Sequence, residues 1–309
     1  MIAAHGQPGR GPVRRTARGA ARVAFVVAAG CGGDADGAPG NPDNNQEERV
    51  AVAEPASRYL AHLMFVAPEG PAFLGVFDQS VSGGVLATDY AAWTRLGGIW
   101  QQTLGVSDTL PASRAAWRIL PSQGLAVGVE GDGSLAALRT DAPGGGVRLT
   151  FLSRLGTWPS PTGQGEWLAS ASLEHAGEVF SGLAFFRRGA QQLDLPRSRS
   201  VARVFLLTAG EDRSIILYEG LGRAPSTGHA FFAGTETEAA EIELAGGPDQ
   251  WTFSFPEIGL SGELQLDGQG RTGGTGGGPG LAALRGTVRV DADGADFAVR
   301  GLTAGLALP

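Results

Sequence analysis

The chain predicts an all-β fold, an antiparallel β-sandwich or barrel-like body in one unit or two lobes, with at most one or two short helices. Three observations carry this expectation. Fifty glycines and eighteen prolines stand among 309 residues, just under the share that marks low complexity. Apolar residues come in short runs rather than long helical stripes, and turn formers punctuate them at strand-plus-turn spacing. Apolar content of 42% is still enough for a sizeable core.

The opening stretch is different in kind. Residues 23–30 (VAFVVAAG) form an apolar run of eight, whereas a membrane-crossing helix needs about 20. Arg10, Arg14, Arg15, Arg18 and Arg22 precede it without an acid among them. A basic leader, a short apolar segment and small residues before a cut site describe a secretory signal over residues 1–30. Ala28-Ala29-Gly30-Cys31 resembles the lipobox of bacterial lipoprotein precursors. That resemblance implies cleavage before Cys31, diacylation of its sulfur and acylation of its new amino group. Cys31 is the one cysteine of the chain, so its use for lipid leaves none for a disulfide. Two or three acyl chains would hold the protein on a membrane. Gly32 stands where an aspartate would retain an enteric lipoprotein at the inner membrane, so the expected location is the cell envelope with the outer membrane favoured. Residues 31–57, acidic and rich in Gly, Pro and Asn, read as a disordered tether.

From residue 58 to 309 the texture is β-rich. Residues 125–129 and 135–138 flank Gly131-Asp132-Gly133 as a hairpin would, and residues 167–173 and 179–186 do the same around His175-Ala176-Gly177. Further pairs are expected at 201–208 with 215–218, at 251–255 with 259–266, and at 287–290 with 296–299. The total comes to on the order of ten to fourteen strands, which is sandwich or barrel territory. One segment resists. Leu86, Tyr90, Trp93, Gly97, Trp100 and Leu104 recur at three to four, so 88–104 fits a helix capped by Thr88 or Asp89, while Gly97-Gly98 in its middle argues against one. Residues 267–280 read as a disordered Gly-rich loop. A lobe seam is suggested near 156–165, and a single long loop reads equally well there.

Composition excludes several chemistries. All 24 basic residues are arginines, so no Schiff-base, P-loop or general-base lysine exists. The chain carries −7 overall, and because five arginines fall in the leader the remainder is more acidic still. Such a body lacks the basic footprint that nucleic acid requires. No nucleic-acid partner is expected.

The motifs favour turns over sites. Residues 268–273 match the dinucleotide fingerprint letter for letter, but no helix start follows to hold a pyrophosphate. Glu174, His175 and Glu178 fall at a hairpin tip, where polar residues belong anyway. His62 and His229 read as satisfied strand histidines. Asp291, Asp293 and Asp296 read as a β-turn around Gly294. With mature histidines far apart and no Cys pair, neither a metal site nor a cofactor is expected, and no catalytic residue is assigned, because GxSxG, HExxH and CxxC are all missing.

Aromatic residues are the remaining signal. Trp93, Trp100, Trp117, Trp167, Phe186, Phe232 and Trp251 are the candidates to line an apolar pocket in a barrel mouth, with plain core packing as the alternative. Phe185-Phe186 and Phe231-Phe232 are adjacent pairs, so in strands one member of each faces outward, toward a second sheet, a partner or a ligand. The expected protein is a membrane-anchored envelope lipoprotein with a non-catalytic β-body that binds a small apolar ligand or an envelope partner, with the lipocalin barrel as a fold-level analogy. Two other classes are carried beside it. One is an enzyme, a hydrolase or cyclase-like catalyst acting on an apolar substrate in the same cavity. The other is a structural or assembly lipoprotein with a filled core and no cavity.

Overall fold

The computed structural model describes residues 57–305 apart from 112–117, 132–133, 143–144, 160–164, 193–200, 211, 233–234, 248, 269–279 and 292–293. The expected signal segment, Cys31, the expected tether to residue 56, Trp117 and the dinucleotide-like run from 269 onward therefore lie outside the described residues.

The expected all-β body is found, and it is built as two antiparallel meanders. The first comprises β1 (Ser57–Val66), β2 (Ala72–Ser82), β3 (Val85–Leu96), β4 (Ile99–Pro111), β5 (Leu125–Val129), β6 (Leu135–Thr140), β7 (Val147–Pro159), β8 (Gly165–His175) and β9 (Glu178–Gln192). These form one nine-stranded sheet in the order β4-β3-β2-β1-β9-β8-β7-β6-β5. Its two end strands share a core, since Leu104 of β4 packs in the same cluster as Leu125 and Val127 of β5. The sheet thus rolls around its own interior. The second meander comprises β10 (Val201–Thr208), β11 (Arg213–Gly220), β12 (Ser226–Phe232), β13 (Thr235–Gly246), β14 (Gln250–Phe255), β15 (Leu260–Leu266), β16 (Leu281–Val290) and β17 (Ala295–Gly305), which close into an eight-stranded barrel. Closure leaves that barrel no unpaired edge.

All five expected hairpins are present. The possible helix at 88–104 is instead the hairpin β3–β4, joined by Gly97-Gly98 with φ of 56° and 84°. Positive φ at both central residues is what a two-residue turn between twisted strands requires, and glycine meets it without steric cost. The suggested seam near 156–165 is the connection of the hairpin β7–β8 within one sheet. The division between the two meanders falls instead between β9 and β10, where strand pairing changes from the first sheet to the second.

Three buried clusters organise the packing. One fills the inside of the first sheet around Phe65, Phe73, Phe77 and Tyr90. A second fills the barrel around Phe205, Trp251, Phe253 and Phe255. The third joins the lobes, with Met64, Leu74, Trp158, Leu168 and Phe185 of the first meeting Val204, Leu206, Tyr218, Phe231 and Leu302 of the second. Phe185 faces this junction while Phe186 faces the first interior; Phe231 faces the junction while Phe232 packs toward the barrel core. The outward members of the two aromatic pairs thus meet across the lobes.

Candidate functional site

Alternation along β7, β8 and β9 gives each strand one face toward the inside of the first lobe and one toward the barrel. Thr157, Trp167, Phe186 and Arg188 take the inner face. Trp158, Glu166 and Arg187, their immediate neighbours, take the outer one. The two faces carry two different candidate sites.

On the inner face lies a cavity of about 310 Å³ at the end of the first lobe where β1 begins and β9 finishes. Phe77, Trp167 and Phe186 form its apolar wall. The Trp167 ring stacks on Phe186 at 5.1 Å and meets the edge of Phe151 at 4.9 Å. Three arginines border the same space: Arg118, Arg154 and Arg188. Each is placed by a distinct local device. Gln79, buried on β2, donates from Nε2 to the Arg118 carbonyl at 2.7 Å and to the Tyr90 hydroxyl. Tyr90 also accepts from the Leu120 amide at 3.2 Å, so the segment after β4 is held against the lobe. Register shifts at Phe151/Ser153 and Arg154/Gly156 interrupt β7, and such bulges redirect a side chain. The Arg154 guanidinium consequently sits 4.0 Å over the Trp167 ring. Arg188 follows Phe186 by two on the inner face of β9. The cavity is near the lower bound of small-molecule sites, roughly 300 Å³.

On the outer face, where the barrel covers the sheet, is a buried polar network. Glu166 is wholly buried. Its Oε1 lies 3.0 Å from Arg187 Nε, and its Oε2 accepts from Trp158 Nε1 at 3.0 Å and from the Tyr218 hydroxyl of the barrel. His62, paired in register with Arg187 across β1 and β9, is buried, and burial followed by the Arg187 charge lowers its pKa to about 3. His229 lies 4.4 Å from the Trp158 ring, and burial lowers its pKa to about 4. Its ring is thus neutral near pH 7, and Nδ1, 3.1 Å from Glu236 Oε1, is assigned as the protonated nitrogen donating to that carboxylate. Burial first, and the neighbouring Glu166 second, push the Tyr218 hydroxyl well above its ordinary range, so it stays a proton donor. Arg187 Nη1 is buried without a hydrogen bond. An ionised carboxylate, a neutral phenol and a neutral imidazole brought together can in principle exchange a proton. Glu166 lines neither the inner-face cavity nor the cleft at the end of the barrel bordered by Thr208, Arg213 and Phe297.

The aromatic residues expected at a pocket separate. Trp167 and Phe186 are brought together in the cavity wall. Trp93 and Trp100 are half-buried on the outer face, packed against the junction of the lobes, where Trp100 Nε1 makes no hydrogen bond. Trp251 is buried in the barrel core with Phe232 against that cluster. Glu174, His175 and Glu178 sit at the tip of β8–β9, where Ala176 and Gly177 both have positive φ and His175 Nδ1 lies 3.2 Å from the Gly146 carbonyl. Among the described residues no group of three metal-ligating side chains occurs. Sequence reasoning missed Glu166, Arg187, Tyr218 and the arginine border. A usable signal was present in Leu183-Phe185-Arg187, a charge continuing an apolar strand face opposite another apolar face.

No protein-family profile matches the chain, and no curated protein matches it. Solved structures do. The AttH candidate of Nitrosomonas europaea aligns with a TM-score of 0.55 at 11% identity over 81% of this chain and 92% of its own. Kievitone hydratase from Nectria haematococca aligns with a TM-score of 0.53 at 10% identity over 80% of this chain and 87% of its own. At such identities the likeness is one of fold, and it spans both lobes of the chain.

Proposed function

We propose that the protein is an envelope lipoprotein whose β-body holds a small apolar molecule in the cavity of its first lobe. One observation carries the reading: the first lobe keeps an aromatic-walled space of about 310 Å³ opening at its end, which a purely structural or assembly role does not call for. The closed barrel is filled by its own aromatic core. The wall of the cavity is also braced from behind, because Trp167, Phe186 and Arg188 share strands with the Glu166–Arg187 network. A pre-formed, rigid site loses less freedom on binding.

Binding of the neutral fluorophore N-phenyl-naphthylamine tests this. The protein should enhance its fluorescence saturably, and Ala61→Phe, which fills the cavity from β1, should abolish the effect while leaving the thermal transition in place. Binding that survives Ala61→Phe would place the ligand elsewhere. The anchor is tested separately by intact mass of the protein extracted from its native membrane. A chain starting at Cys31 with two or three acyl groups is expected; an unlipidated chain retaining residues 1–30 would remove the envelope location.

A second reading is favoured by a different observation. Glu166, Tyr218, His229 and the unsatisfied Arg187 Nη1 form a buried proton-handling cluster between the lobes, and a hydratase shares the fold. On this reading the protein is an enzyme acting on an apolar substrate by acid–base chemistry. The cavity reading is preferred because open space exists there.

A further inference from the structure

Resting on the cavity reading, we infer that its ligand is an anionic amphiphile, an apolar chain ending in a carboxylate or phosphate, whose head group is held by Arg118, Arg154 and Arg188. The whole chain is acidic, at −7, yet three of its arginines border this aromatic-walled space. No carboxylate stands among the described residues that line it. Its remaining polar lining is neutral and includes Tyr59, Gln79, Ser134 and Thr157.

The geometry joins the two halves of such a ligand. The Arg154 guanidinium lies 4.0 Å over Trp167, so positive charge sits directly on the aromatic wall rather than at a distance from it. A head group at Arg154 would leave its chain along Trp167, Phe186 and Phe77. Arg154 and Arg188 also have neighbours within the protein. A guanidinium has five N–H donors in a planar fork, which leaves capacity for a further acceptor and suits carboxylate and phosphate alike. Clefts lined by one sign of charge concentrate ligands of the opposite sign. A neutral apolar ligand would gain nothing from this border, and a cationic one would be repelled by it.

The test compares four ligands of one chain length: dodecanoate, dodecyl phosphate, dodecanol and dodecyltrimethylammonium, each measured by displacement of N-phenyl-naphthylamine. Three solvent-exposed charge contacts together should give the anions about a tenfold advantage over dodecanol, reduced by added salt. The triple variant Arg118→Gln, Arg154→Gln, Arg188→Gln should erase that advantage while dodecanol binding persists. Its substitutions lie on exposed side chains, so folding is not at stake. A larger advantage for dodecyl phosphate than for dodecanoate would identify the head group as phosphate, and the reverse as carboxylate. Equal binding of dodecanol and both anions overturns the head-group inference and leaves the cavity reading standing. No binding by any of the four overturns the cavity reading itself.

Discussion

At the level of single residues, the junction between the lobes is where polar chemistry has been taken out of water. Moving an ion pair such as Glu166–Arg187 inside is tolerated only when further hydrogen bonds complete its shell, and Trp158 and Tyr218 supply them. His62 and His229 are each held uncharged in the same layer. In the unfolded chain both rings take up a proton near pH 6.5, whereas in the folded protein they resist it until about 3 and about 4. Acidification therefore protonates the unfolded state first. Stability present above pH 6.5 should fall by up to about 1.4 kcal/mol per pH unit for each ring as pH drops below that value. Denaturant titrations at successive pH values check this, and the double variant His62→Phe, His229→Phe should flatten the slope between 6.5 and 5. A wild-type slope already flat in that window would mean that both rings reach water. His62 and His229 were legible as strand histidines, and both are buried in strands. The network of Glu166, Arg187 and Tyr218 was legible only at Arg187, a charge continuing an apolar face, because its members lie on three strands of two lobes and only the packing of the second lobe on the first brings them together.

At the level of elements, legibility followed the turn signal, since β8–β9 and β10–β11 read as hairpins although both their faces are covered. The hairpins around Gly131, Gly177 and Gly210 were readable because a turn signal separates two short apolar runs, and the register requires nothing more. The hairpin β3–β4 was not. In β3, Tyr90 and Ala92 face the first core while Trp93 packs on the junction with the barrel, so apolar residues occupy both parities and the period of two disappears. What remains of Leu86, Tyr90, Trp93, Trp100 and Leu104 imitates helical spacing. The glycine pair was the correct witness, since its positive φ at both positions makes a turn and not a helix interior. Two-sided burial also explains why Trp93 and Trp100 resembled pocket residues: they are apolar and outward-facing, but what they face is the other lobe. Trp167 and Phe186 meet in the cavity wall for a simpler reason, because they lie on the inner faces of adjacent strands and pair in register.

At the level of the whole molecule, the two meanders are separate in hydrogen bonding and joined in packing. No strand of the nine-stranded sheet pairs with a strand of the barrel among the described residues, yet Phe185, Trp158, Phe231 and Tyr218 form one continuous cluster across them. Arg95 of β3 adds a polar tie, donating to the Asp267 carbonyl at 3.0 Å beyond β15. A lobe unfolding alone would expose this apolar face and strand Glu166 or Tyr218 without its partner, so the lobes should unfold together. Calorimetry should record a single transition over the β-body. Phe231→Ala, which removes an aromatic ring from the junction at a cost of about 3 to 5 kcal/mol, should lower that one midpoint by on the order of 10 °C without splitting it. Two resolved transitions in the wild type would show that the lobes merely touch, and the bracing of the cavity wall from behind would fall with the cooperativity.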